Sequence, residues 1–145
     1  MDVTRITSPV ELFSCREMLY PLFEGYYAKA KLYVDDIKAP ADLWRDCVIN
    51  AMFPDYYFYV IREDNEFIGF MSSCLMRMPQ LTVLYMMDYY IPNRGLEFLG
   101  LLKEIVKMVG ADEVWGEAPD RVYNGYKRSL KDAVVIKKQL VRITF

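Results

Sequence analysis

Residues 86–119 read MMDYYIPNRGLEFLGLLKEIVKMVGADEVWGEAP. They close and follow a strongly β-prone run, LTVLYMMDYYI, from Leu81 to Ile91. Pro92-Asn93-Arg94-Gly95 punctuates the end of that run. Leu96, Leu99, Leu102, Ile105, Val106 and Val109 then recur at helical spacing, and Gly110 suits a helix C-cap. DEVWGEA, residues 112–118, reads as a short strand. A strand–helix–strand unit of this kind predicts a right-handed crossover that sets two strands parallel.

Upstream lies a hairpin. YYFYVIRE (Tyr56–Glu63) and EFIGFMSSCLM (Glu66–Met76) are rich in aromatic and β-branched residues, and Asp64-Asn65 separates them as a tight turn. Gly69 within the second run predicts a bulge or a close backbone approach. Met78-Pro79-Gln80 is read as the next break. DVTRIT near the start alternates and predicts a short strand.

Ser8-Pro9-Val10-Glu11 has the form of a capped helix start, and the helix continues through LFSCREMLYPLFEGYY, with Pro21 expected to kink or end it. KLYVDDIK is ambiguous, and ADLWRDCVINAMF opens a second helix after Pro40. Beyond residue 118, DRVYNGYKRSL reads as a helix and AVVIKKQLVRITF as terminal strand. The whole predicts one α/β (α+β) domain over residues 1–145. Its sheet is expected to be mixed, twisted and mostly antiparallel, with helices on both faces.

Composition narrows the function. The 145 residues are 54% hydrophobic and 26% charged, a globular balance for one domain. The net charge of −2 does not favour nucleic acid; Lys127, Arg128, Lys131, Lys137 and Lys138 form only a short, mixed basic cluster. No run approaches the ~20 apolar residues of a membrane span, and the start has no signal-like core. Cys15, Cys47 and Cys74 are odd in number and lack CxxC spacing, which predicts reduced thiols in a cytoplasmic protein. The chain has no histidine, so Ser-His-Asp and Cys-His catalysis lack their base. A general base must then be a carboxylate, tyrosine, lysine, the amino terminus or water.

The element order resembles that of the GNAT superfamily of acyl-CoA-dependent N-acyltransferases, over nearly the whole chain. The family's cofactor loop has the form [QR]-x-x-G-x-[GA], and Ile91-Pro92-Asn93-Arg94-Gly95 is similar to its lead-in. Backbone N–H groups at such a helix start suit a diphosphate. The pattern departs at Glu97 and Leu99, which stand where the family has small residues.

The resemblance implies acetyl-CoA as cofactor, with Tyr90, Ile91, Arg94, Gly95 and Asn124 as binding positions. The backbone at Tyr90–Ile91 would pair with the pantetheine arm. It further implies Tyr126, or else Tyr123, as the acid that protonates the leaving thiolate. Asp88 is the acid within LTVLYMMDYYI. It suits the family's general base on the central strand, and also an exposed position or a local backbone bond.

Two functions follow. One is transfer of an acetyl group to an amine on a small molecule or a protein. The other is a catalytically inactive GNAT-like binding or structural protein, of the kind found in phage genomes, located in the virion or paired with another phage protein. The β-rich C-terminal end would offer an edge for pairing with a second copy.

Overall fold

Side chains along Tyr56–Glu63 point alternately to two sides, and the core divides accordingly. Phe58, Val60 and Phe70 face one cluster, with Leu12, Leu19, Phe23, Leu43, Trp44 and Cys47. Tyr59, Ile61 and Met71 face another, with Leu84, Phe98, Leu101 and Ile105. This computed structural model describes residues 1–117 together with Asn124 and Arg128. Met1–Trp115 form one compact unit and Gly116–Phe145 a second.

The order is β1 (Asp2–Ile6), α1 (Pro9–Ser14), α2 (Arg16–Ala30), α3 (Pro40–Asn50), β2 (Tyr56–Glu63), β3 (Glu66–Met78), β4 (Leu81–Tyr90), α4 (Gly95–Val109) and β5 (Glu113–Gly116). The strands lie in sequence order in one five-stranded sheet. β1–β2, β2–β3 and β3–β4 are antiparallel. The β4–α4–β5 crossover makes the sheet mixed. Asp112 fastens it: its N–H donates to the Thr82 carbonyl at 2.8 Å, and its carboxylate accepts from the Thr82 N–H at 2.9 Å. Helices α1–α3 cover one face and α4 the other.

Local chemistry explains the joints. Asp64 and Asn65 have φ of 50° and 65°, the left-handed pair that a two-residue hairpin requires. Gly110 closes α4 at φ 72°. At the start of α1 the Ser8 hydroxyl accepts from the Glu11 N–H at 3.2 Å. Glu11 reaches back to the N–H of Thr7, one residue before the cap, at 3.1 Å. Phe23 sits among Trp44, Phe58 and Phe70, with ring centroids 5.9, 6.3 and 4.6 Å away.

Three details differ from expectation. The helical break falls at Cys15, between α1 and α2, and Pro21 lies inside α2 without ending it. Leu19 and Phe23 are fully buried on either side of Pro21, so packing holds the helix through the proline. The hairpin's second strand, β3, extends to Met78, leaving Pro79 and Gln80 as the turn. On α4 the deeply buried stripe is Phe98, Leu101 and Ile105, while Leu102, Val106 and Val109 flank it. The terminal helix and strands lie outside the described residues, apart from helical Asn124 and Arg128.

Candidate functional site

Asp88 owes its direction to a bulge. Ser72 pairs with Asp88 and Ser73 with Met86, so Met87 is inserted in β4 without a partner. Met86 packs on the α4 side. Two residues later a regular strand would return to that side. Met87 breaks the alternation, and Asp88 turns to the α2–α3 side, where its carboxylate finds hydroxyl partners. Tyr26 of α2 donates to Asp88 Oδ1 at 2.8 Å, and Ser72 of β3 donates to Oδ2 at 3.2 Å. No cation pairs with Asp88 at salt-bridge distance among the described residues.

A cavity of about 250 Å³ opens beside this carboxylate. Lys38, Asp46, Asn50, Tyr56, Ser72 and Tyr85 are among its lining residues, together with Cys47 and Met87. Lys38 is committed to Asp46 in an ion pair. Burial, then the nearby Asp88 charge, raises the Tyr26 hydroxyl well above a tyrosine's usual range. It therefore stays protonated and donates. Burial likewise pushes the Cys47 thiol up to about 12, so it is not a thiolate nucleophile at neutral pH.

Tyr56 of β2 also lines the cavity. It is only 6% exposed, and its buried hydroxyl lies beside Cys47 and Ser72. Burial is also the main cause raising its pKa, so it remains a neutral phenol. In sequence it is one tyrosine of an aromatic strand, with nothing to separate it from Tyr57 or Tyr59.

The cofactor positions form a second region. Tyr90 packs its ring toward Tyr26, centroids 6.3 Å apart, and against Gly25, where an added Cβ would lie 2.8 Å from the Tyr90 hydroxyl. The Tyr90 carbonyl crosses Gly69, where a Cβ would lie only 2.6 Å from it. That is the close approach expected at Gly69, and a register shift in the same part of the hairpin supplies the bulge. Ile91 is buried against α4. Gly95 opens α4 with free space around it, and the helix has no side-chain N-cap.

Arg94 is engaged elsewhere. It pairs with Glu63 of β2 at 2.6 Å and with Glu97 at 3.5 Å. The Glu63 bond raises the arginine pKa, and Arg94 in turn holds the Glu63 carboxyl below the usual range. The backbone of this loop fits a diphosphate: an uncapped helix start, open at its glycine. Its side chains fit less well, since two carboxylates already share the cation. Asn124 is helical and exposed, and its carbonyl accepts from Arg128 at 3.3 Å. Tyr126 and Tyr123 lie outside the described residues.

Structural comparison places this architecture. A chain designated a probable acetyltransferase superposes with a TM-score of 0.72 at 15% identity, covering 100% of this chain and 98% of the other. A ribosomal-protein-alanine N-acetyltransferase from Brucella melitensis biovar Abortus 2308 gives a TM-score of 0.65 at 14% identity, with both chains fully covered. This chain has the GNAT fold. An aminoglycoside acetyltransferase from an uncultured soil metagenomic sample, in complex with sisomicin, shares it at a TM-score of 0.63 and 16% identity, over 99% of this chain and 94% of that one. No protein-family model and no curated protein matches the sequence. Within the GNAT fold, the Asp88 cavity opens on the sheet face covered by α1–α3, and Arg94–Gly95 stand at the start of the crossover helix.

Among the described residues no group of three His, Cys, Asp or Glu side chains is arranged to hold a metal ion. Among them, too, no helix is long and apolar enough to cross a membrane.

Proposed function

We propose that the chain is an N-acyltransferase that moves an acetyl group from acetyl-CoA to an amine bound beside Asp88. The observation that carries this is a carboxylate turned by the Met87 bulge into a polar cavity, held by two neutral hydroxyl donors and, among the described residues, by no cation at salt-bridge distance. Such a carboxylate attracts an ammonium group and takes its proton, directly or through one water. Tyr26 and Ser72 fix the direction of its lone pairs. Acetyl-CoA would supply an activated thioester, its diphosphate at the N–H groups that begin α4 and its pantetheine arm along Tyr90–Ile91. The amine nitrogen then bonds to the acyl carbon as the carbon–sulfur bond breaks. Tyr126 is the proposed donor of the proton that the departing thiolate takes. Much of the rate would come from holding both substrates in line.

The Arg94–Glu63 pair favours a second reading, a GNAT-like binding protein that keeps the fold and has lost cofactor affinity. One experiment separates the two. The thermal midpoint is measured with and without millimolar acetyl-CoA. A ligand at 100 times its Kd adds about 2.7 kcal/mol to the native state, which for a domain of this size is a rise of several degrees. Such a rise supports the acyltransferase. An unchanged midpoint at saturating acetyl-CoA leaves the binding protein.

A further inference from the structure

A second cavity, of about 280 Å³, opens on the α4 side of the sheet, across the strands from Asp88. Tyr57 and Tyr59 of β2 line it, their rings 18° from parallel with centroids 6.4 Å apart. Val3 of β1 and Met108 and Val109 of α4 add apolar surface. Met108 leaves 65% of its surface exposed there, an adaptable side chain with apolar area still to cover.

Arg5 is the one charged residue of this lining. It forms no ion pair with a carboxylate among the described residues. Its guanidinium lies over the Tyr57 ring, 3.9 Å from the centroid, and one N–H reaches the Tyr56 carbonyl at 3.5 Å. A guanidinium so placed can keep its face on the ring while its edge takes a carboxylate. Arg94 differs, because Glu63 already occupies it. Burial pushes the Tyr59 hydroxyl up to about 12, so it stays neutral and adds no opposing charge. The set therefore recognises a negative charge carried on a flat apolar ring. A cation would meet Arg5, and a small inorganic anion would leave both rings and Met108 unused. The volume of about 280 Å³ corresponds to about nine waters at roughly 30 Å³ each, which is room for one six-membered ring with its carboxylate.

We infer that this cavity binds a small aromatic carboxylate, with the carboxylate on Arg5 and the ring beside Tyr57 and Tyr59. The site lies on the opposite face from Asp88 and does not depend on the acyltransferase reading.

The test is calorimetric titration of the full chain with three probes. Benzoate has the ring and the charge, benzyl alcohol only the ring, and acetate only the charge. Benzoate is expected to bind about fivefold or more tighter than either, the upper worth of a partly exposed ion pair. Arg5→Gln should remove that advantage and leave benzyl alcohol unchanged. Met108→Glu should also weaken benzoate, by setting a like charge at the mouth of the cavity. Arg5 and Met108 are both exposed, so each variant should melt close to the wild type. Equal binding of benzoate and benzyl alcohol, no binding of benzoate, or undiminished benzoate binding in either variant would each overturn the inference. So would a loss of benzoate in Arg94→Ala that Arg5→Gln does not share, since that would put the anion on the loop before α4.

Discussion

The two ends of one short stretch treat their charges in opposite ways. At Asp88 the strand bulges, and the carboxylate is met by neutral hydroxyl donors, with no cation at salt-bridge distance among the described residues. Six residues on, Arg94 is met twice over, by Glu63 and Glu97. A carboxylate with no counter-ion among the described residues is open to a cationic group from outside, whereas a matched, partly buried ion pair must be broken before a ligand can use it. The acceptor side of the fold therefore carries the stronger functional signal, and the cofactor side the weaker one.

That contrast can be broken at several points. The largest effect is expected from removing both donors to Asp88. Hydrogen bonds to a charged group contribute about 1.5–3 kcal/mol each, so Tyr26→Phe combined with Ser72→Ala should lower kcat by a hundredfold or more. Steady-state rates with a saturating amine check this, and an unaltered kcat would show that the carboxylate needs no orientation.

Next is Gly69→Ala. Its Cβ would meet the Tyr90 carbonyl, a backbone atom, at 2.6 Å. Overpacking of that kind costs about 1–3 kcal/mol. Gly25→Ala meets only the movable end of the Tyr90 side chain and regains helix propensity, so it should cost less. Denaturant midpoints of the two variants rank them, and a reversed order would mean that the Tyr90 backbone is free to shift.

The smallest effect belongs to the loop. Glu63→Gln should release Arg94 and tighten coenzyme A severalfold, and Glu97→Gly should act in the same direction by removing an acid from the first turn of α4. Arg94→Ala, in contrast, should weaken coenzyme A little in the wild-type background. Calorimetric Kd values decide. A large loss in Arg94→Ala would show that the arginine already serves the diphosphate.

Much of this architecture is legible in the residues, because it rests on local chemistry. Asp64-Asn65 announces the hairpin, Gly110 the end of α4, Gly69 the close approach, and Ser8-Pro9 the start of α1. Pro21 misleads because burial of Leu19 and Phe23 outweighs the proline's cost to the helix. The site is only partly legible. Asp88 stands out as an acid in an apolar strand, but its direction depends on the Met87 bulge, and no residue type marks that insertion. Tyr56 becomes notable only through its place on the cavity wall beside Cys47 and Ser72, a property of packing rather than of pattern. The Arg94–Glu63 pair spans 31 positions, beyond any local motif.

The most direct test of Asp88 as the amine-facing base is the initial rate of thiol release from acetyl-CoA, with amine present, by the wild type and by Asp88→Asn. The substitution keeps the shape and one oxygen to accept from Tyr26, while its NH2 faces the Ser72 hydroxyl, which can rotate to accept, so both chains should fold alike. The expected result is amine-dependent release by the wild type and a rate about 10²–10⁴-fold lower in the variant, the usual worth of a general base. Equal rates in the two chains would contradict the assignment.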